Sequence, residues 1–167
     1  MPKDLTPEQL NWKPGEDKWS IAQCFEHTLV GADRYAEKLG PAIEGARNNQ
    51  LNVQADLQPR HTLMGRLILR AMEPTARRTM SAPKLFAPTQ SPISEDIADR
   101  FVQSHENIAK LITDCDGLDH NRIKLSSRVA RIIRINATDA FNILVTHAER
   151  HLNQADGVRQ LSEFPNG

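Results

Sequence analysis

Residues 136–155 read Asn-Ala-Thr-Asp-Ala-Phe-Asn-Ile-Leu-Val-Thr-His-Ala-Glu-Arg-His-Leu-Asn-Gln-Ala, and this stretch decides the fold that we predict for the chain. Asn136 with Asp139 three residues later is typical of a helix start. Apolar residues then continue along one face at helical spacing: Phe141, Leu144, Ala148, Leu152 and Ala155. The pattern predicts an amphipathic helix as the last regular element.

Two histidines flank this apolar face, His147 and His151. A step of four residues returns to within roughly 40° of the starting direction on a helix, so both imidazoles can bind the same metal ion. Gln154 falls on the same side one turn later, where it can support a ligand by hydrogen bonding. The alternative is an accidental spacing of two partly buried or surface histidines.

A third ligand must come from elsewhere, and the first long helix offers two candidates, His27 and Cys24. Ser20 followed by Gln23 reads as a capping box, with Trp19 and Cys24 as a hydrophobic staple, so this helix is expected to begin just after Trp19. Its apolar residues keep a helical period: Ile21, Phe25, Leu29, Ala32, Ala36 and Leu39. His27 points about a third of a turn away from the centre of that stripe, so periodicity alone does not choose between the two candidates.

The middle of the chain alternates helical patterns with polar or proline-containing stretches. We expect Gly40-Pro41 to bend or end the first long helix, and residues 46–60 to form a loop. Leu63 to Met72 predict a short helix that Pro74 stops. Residues 81–92, with three prolines, predict an extended connection.

The third quarter of the chain predicts one more helix followed by an irregular region. Ser94, Glu95 and Asp96 favour a helix start, and we expect this helix to end near Asp116-Gly117. Residues 118–135 are interpreted as irregular. Four helical segments without a convincing strand predict an all-α bundle, in which metal sites are built from inward-facing residues on adjacent helices.

Size and charge limit the functions that we consider. The 167 residues fit a single domain over 1–167, and 21 basic residues balance 21 acidic ones. This neutrality argues against nucleic acid and membrane surfaces as partners and leaves a small-molecule substrate. Without an apolar signal segment or a long apolar run we expect a cytoplasmic protein, in which the two cysteines stay reduced.

Other polar residues receive simpler interpretations. His105 is expected to be a packed or rim residue, while His61 and His120 lie in polar segments. The basic residues between Arg122 and Arg134 predict a solvated face, with the alternative of an anion-binding surface at the mouth of the site. Glu149 lies about 200° around the helix from His147 and therefore points away from a shared metal.

Two separated motifs together resemble the DinB superfamily of metal-binding four-helix bundles. The first is Gln9-Leu-Asn-Trp12-Lys-Pro14 with Lys18-Trp19-Ser20-Ile21 and His27, and the second is His147-x-x-x-His151-x-x-Gln154. The resemblance covers approximately residues 6–162. It implies that His27, rather than Cys24, joins His147 and His151 in holding a divalent metal, often zinc or nickel.

The N-terminus departs from the family pattern. Relatives usually carry a long helix before the Trp-x-Pro segment, whereas only about a dozen residues precede it here, so the first core helix is expected to be missing or replaced. Three explanations stay open: a partner subunit covers the exposed face, the helix at 61–72 replaces the missing one, or the sequence begins late. Since dimers are common in proteins of this type, we expect a homodimer.

Three neutral imidazoles leave an open coordination position, which is typical of a reactive metal site. A bound ion of this kind deprotonates a coordinated thiol and lowers the pKa of water to about 7. Hydrolysis also needs a nearby carboxylate, which the sequence does not place there. We therefore expect a metal-dependent thiol S-transferase that uses a low-molecular-weight thiol, with two alternatives: a non-catalytic metal-binding bundle or a metal-dependent hydrolase.

Overall fold

The computed structural model describes residues 5–53, 58–73, 87–89, 92–126 and 134–166. The helices within these ranges are α1 (Pro7–Asn11), α2 (Ile21–Asn48), α3 (Leu63–Met72), α4 (Ile97–Thr113) and α5 (Ala137–Arg159). Two short strands, β1 (Lys124–Ser126) and β2 (Arg134–Asn136), pair antiparallel. The all-α prediction is confirmed, and no described helix has the length and apolarity needed to span a membrane.

Helix α2 is the central element of the described structure. It packs against α4 and α5, while α3 packs against α5. One core cluster includes Leu39, Ile108 and Ile143, and a second includes Phe25 and Ile97. The N-terminal parts of α2 and the C-terminal part of α5 are thereby held side by side, and this places the candidate site.

The predicted start of α2 is confirmed in atomic detail. The Ser20 hydroxyl accepts the Gln23 N–H at 3.1 Å, and the Gln23 side-chain oxygen accepts the Ser20 N–H at 3.1 Å. Gly40-Pro41 was expected to bend or end this helix; the end is wrong, because α2 continues through Pro41 to Asn48, and the bend stays a prediction. Proline removes only one backbone hydrogen bond, and burial of Leu39 and Ile43 on either side of Pro41 stabilises the continued helix.

Helix α3 is attached to α5 through one buried carboxylate, that of Asp139. The Thr62 hydroxyl donates to it at 2.7 Å, the Thr62 N–H donates at 3.2 Å, and His61 Nδ1 lies at 2.9 Å. The same carboxylate accepts the Asn136 N–H at 3.2 Å in the capping box that begins α5. Since Thr62 caps α3, a single side chain links the starts of two helices.

The irregular interpretation of residues 118–135 is wrong at residues 124–126 and 134–135, which form strands. Residues 124–126 pair with residues 134–136, and Leu125 faces Ile135 in the register. Ile123, Leu125 and Ile135 are buried, so alternate residues contribute to the core as β-strands require. The intervening residues 127–133, which include Arg128 and Arg131, lie outside the described residues.

Several smaller expectations differ from the structure. Helix α4 ends at Thr113, before the Asp116-Gly117 turn in which Gly117 has φ +79. The predicted loop over 46–60 begins only at Asn49, and Asn52 then pairs with Leu118. Leu152 is 41% exposed rather than part of the buried face of α5. Pro74 and most of residues 81–92 lie outside the described residues, and the described residues there, 87–89 and 92, form neither helix nor strand.

Candidate metal centre

Three histidines from two helices converge at one point between α2 and α5. His27 lies on α2, and His147 and His151 lie one turn apart on α5. Each offers a ring nitrogen, and these three nitrogens all lie within 4.8 Å of one another. The ring centroids are 4.6–4.7 Å apart. We call these three residues the histidine cluster.

One close approach within the histidine cluster joins two nitrogens of the same kind. His147 Nε2 and His27 Nε2 are 2.9 Å apart. In a neutral imidazole a ring nitrogen is either a donor or an acceptor, and two acceptor lone pairs this close repel each other unless a proton or a cation lies between them. The contact therefore fits either one shared proton or one shared metal ion.

The third ring is oriented by an amide. His151 Nδ1 lies 3.0 Å from Gln154 Oε1. A carbonyl oxygen only accepts hydrogen bonds, so Nδ1 of His151 must carry the hydrogen and Nε2 of the neutral ring keeps its lone pair. A hydrogen bond of this kind to the other ring nitrogen is typical of metal-binding histidines.

The surroundings keep two of the imidazoles neutral. Burial, together with the positive charge that His151, His27 and Arg150 can carry, lowers the pKa of His147 to about 3. Burial followed by the charge of His27 lowers the pKa of His151 to about 4, partly opposed by the bond to Gln154. Neutral imidazole is the form that binds metals, so at neutral pH both rings have the protonation state that a ligand needs.

An indole ring covers one side of the histidine cluster. The Trp19 ring stacks on His151 with centroids 5.5 Å apart and planes inclined by 23°, and it lies 4.9 Å from the His27 ring. On the other side, Gly31 comes close to His147, since a methyl group added to Gly31 would lie 3.7 Å from His147 Cε1. The three rings are thus enclosed by α2 and by the residue that precedes its cap.

The charges near the histidine cluster are positive. Arg150 precedes His151 and donates from Nη1 to the Glu73 carbonyl at 3.2 Å, at the end of α3. Within the described part of the chain, no carboxylate and no cysteine belongs to the group. Glu149 is exposed, and Glu26 accepts the Thr89 N–H at 2.6 Å. A divalent ion at this point would keep its full charge.

The other sequence candidates lie elsewhere. Cys24 is fully buried in the second core cluster, and burial raises the pKa of its thiol to about 12. His105 is half-buried against Phe101, as expected for a packed residue. Arg134 lies before the start of α5, more than ten residues from His147 and therefore roughly 15 Å away along the helix. Arg122 and Lys124 are exposed, as a solvated face requires, whereas Arg128 and Arg131 lie outside the described residues, so the anion surface at the mouth of the site stays a prediction.

Sequence reasoning missed two neighbours of the histidine cluster, Trp19 and Arg150. The sequence pattern places Trp19 in the hydrophobic staple of α2 and in the first family motif, but it does not place Trp19 beside the histidines. Helical periodicity could have identified Arg150, because residues three apart on a helix, such as His147 and Arg150, are neighbours. The contact of Trp19 with α5 depends on how two helices pack, which no local pattern encodes.

The fold and the histidine cluster define a class of protein, an all-α bundle with three imidazoles in an arrangement compatible with metal binding. The family model of the DinB superfamily matches residues 3–155. The chain therefore belongs to the DinB superfamily. Searches among curated proteins and among solved structures found no match.

Proposed function

We propose that this protein is a divalent-metal-dependent enzyme of the thiol S-transferase type. His27, His147 and His151 would hold the metal, and Gln154 would orient His151. The observation that carries the proposal is the 2.9 Å approach of two imidazole Nε2 atoms beside a third ring whose nitrogen lies within 4.8 Å. Membership in a metal-binding superfamily supports it.

The donor set agrees with this chemistry. Three neutral ligands leave the charge of a divalent ion uncompensated, and such an ion lowers the pKa of a coordinated thiol. In the proposed reaction the thiol sulfur forms a bond to an electrophilic carbon, and the leaving group departs with its electron pair. The thiol proton passes to water. Since no carboxylate of the described residues joins the histidine cluster, a reaction that needs no general base fits better than hydrolysis.

Zinc and nickel are the metals that we propose. Both bind imidazole nitrogen well, and zinc binds it at about 2.0–2.1 Å. Two nitrogens at that distance from one ion are at most about 4.2 Å apart, which accommodates the separation of His27 and His147. An activity assay identifies the low-molecular-weight thiol and the small-molecule electrophile.

The experiment combines metal analysis with turnover. Untagged protein is analysed for metal per chain, and metal-loaded protein is incubated with a panel of low-molecular-weight thiols and a chromogenic electrophile. We expect one metal ion per chain and turnover with at least one thiol. His151→Ala should lose both, whereas Asn153→Ala, at an exposed neighbouring position, should keep both. Turnover no higher than that of His151→Ala with every thiol would contradict the enzymatic proposal.

A second candidate function is a non-catalytic bundle in which the metal stabilises the fold. The absence of any carboxylate from the histidine cluster within the described residues favours it as much as it favours thiol chemistry. The two differ in solvent access to the ion. Water relaxation measured on Mn²⁺- or Cu²⁺-loaded protein reports an exchangeable water for the enzyme and none for the structural role.

We also propose a cytoplasmic homodimer. Leu63 and Leu67 lie one turn apart on α3 and are 70% and 55% exposed, and covering such a pair stabilises association. Both cysteines are free, as expected in a reducing compartment. Sedimentation equilibrium should give twice the chain mass, and Leu67→Glu should shift the distribution to the monomer. A wild-type monomer at micromolar concentration would contradict the dimer.

A further inference from the structure

We infer that Trp19 is a positioning residue for the histidine cluster: its indole ring fixes the orientation of His27 and His151 before any ligand binds. This inference rests on the proposed metal site, because it concerns how tightly that site is prepared. Trp19 is a residue beyond the three histidines and Gln154, and its proposed role is to raise the affinity for the metal without coordinating it.

The geometry shows one ring in contact with both helices of the site. Trp19 stacks on His151 of α5 at an interplanar angle of 23°, and it meets His27 of α2 at 59°. His27 and His151 are themselves nearly perpendicular, at 75°. Aromatic rings in such contacts attract each other beyond simple burial. Rotation of either imidazole would break its contact with the indole.

The start of α2 fixes the position of Trp19. It directly precedes Ser20, the residue that caps α2, and Ser20 is fully buried with φ −75 and ψ 169. The reciprocal hydrogen bonds of the capping box hold this backbone. The indole also packs against the core cluster that contains Ile21 and Phe25. The ring is therefore anchored at its base and at its edge.

Each imidazole then has a different support. His151 is held by Gln154 at Nδ1 and by Trp19 across its face. His27 is held by Trp19 on one side and meets His147 on the other. Side chains that are already ordered lose less conformational freedom when they bind. Removing the indole should therefore weaken metal binding without removing a ligand.

The first test compares Ni²⁺ affinity among variants at the two tryptophans of the chain. Trp19→Leu should bind Ni²⁺ roughly tenfold more weakly than wild type, while Trp19→Phe, which keeps an aromatic face, should stay within about threefold. The matched control is Trp12→Leu. Trp12 packs edge-on against Phe164 with ring centroids 5.7 Å apart, so its loss should leave Ni²⁺ affinity unchanged.

The second test uses tryptophan fluorescence to report which tryptophan lies next to the bound Ni²⁺. Trp12→Phe leaves Trp19 as the single emitter, and Ni²⁺ should quench it strongly. Trp19→Phe leaves only Trp12, whose emission should change little. This measurement needs only the two conservative variants. It therefore shows whether Ni²⁺ binds next to Trp19 even where Trp19→Leu does not fold.

The outcomes separate the inference from the proposed function. Wild-type protein that binds no Ni²⁺ overturns the metal site and the inference with it. Wild-type protein that binds Ni²⁺ while folded Trp19→Leu binds it equally well leaves the metal site intact and overturns only the positioning role. Strong quenching of Trp12 in Trp19→Phe also overturns that role.

Discussion

At the residue scale, the spacing of two histidines predicted part of the site and the packing of helices supplied the rest. His147 and His151 lie four residues apart, and the helical repeat alone turns both rings the same way. His27 was chosen by family resemblance. Helix α2 contacts both α4 and α5, so the centre of its apolar stripe points between these two helices. A ligand on α2 that faces only α5 therefore lies away from the centre of the stripe.

Cys24 gives a prediction at this scale, because it was the rival of His27. Its thiol is buried with a pKa raised to about 12, so at pH 8 it stays protonated and reacts slowly. We expect Cys24→Ala to keep the metal stoichiometry of wild type, measured by elemental analysis. Native protein should also react with a thiol reagent far more slowly than protein unfolded in guanidinium. Loss of metal from Cys24→Ala would show that the ligand set is wrong.

At the element scale, the starts of α2 and α5 and both ends of α3 were predicted correctly, whereas the end of α2 was not. The starts of α2 and α5 depend on local capping boxes, Ser20 with Gln23 and Asn136 with Asp139, which a short window of sequence contains. The end of α2 depends instead on burial beyond Pro41. The strands β1 and β2 were missed because each has only three residues, too few for an alternating pattern to be read.

The attachment of α3 gives the prediction at the element scale. A Cβ atom at Gly65 would overlap the Asp139 carboxylate, which anchors Thr62 at the start of α3. We expect Gly65→Ala to lower the free energy of unfolding by roughly 2–4 kcal/mol, measured by urea denaturation.

Gly45→Ala is the matched control for that measurement. Gly45 also lies within a helix, but among the described residues no atom outside its own stretch of helix would lie within 4 Å of its added Cβ. Alanine should therefore stabilise α2 by about 0.5–1 kcal/mol. Equal effects of the two alanines would show that the fit of Gly65 against Asp139 does not matter for stability.

At the scale of the whole molecule, the histidine cluster joins distant parts of the chain. His27 and His147 are 120 residues apart in sequence. An ion bound by both would connect α2 to α5 in the folded state only, and a ligand that binds only the folded state stabilises it. At a free concentration of 100 times the dissociation constant this amounts to about 2.7 kcal/mol.

Thermal unfolding tests this linkage. Adding Zn²⁺ or Ni²⁺ to metal-free protein should raise the melting temperature by several degrees, and the increase should grow with metal concentration. Chelation should reverse it. His147→Ala should show no increase, because it removes one of the two nitrogens that lie 2.9 Å apart. A melting temperature that is indifferent to metal in wild type would contradict binding at this point.

The carboxylate of Asp139 also couples the dynamics of two segments that are far apart in sequence. The backbone N–H groups of Thr62 and Asn136 both donate to the Asp139 carboxylate, each with a nitrogen–oxygen distance of 3.2 Å. Motion of the Asp139 side chain therefore breaks both hydrogen bonds together. In deuterated solvent their exchange rates should therefore respond together to temperature and to substitution of Asp139. The beginnings of α3 and α5 would then open as one cooperative unit.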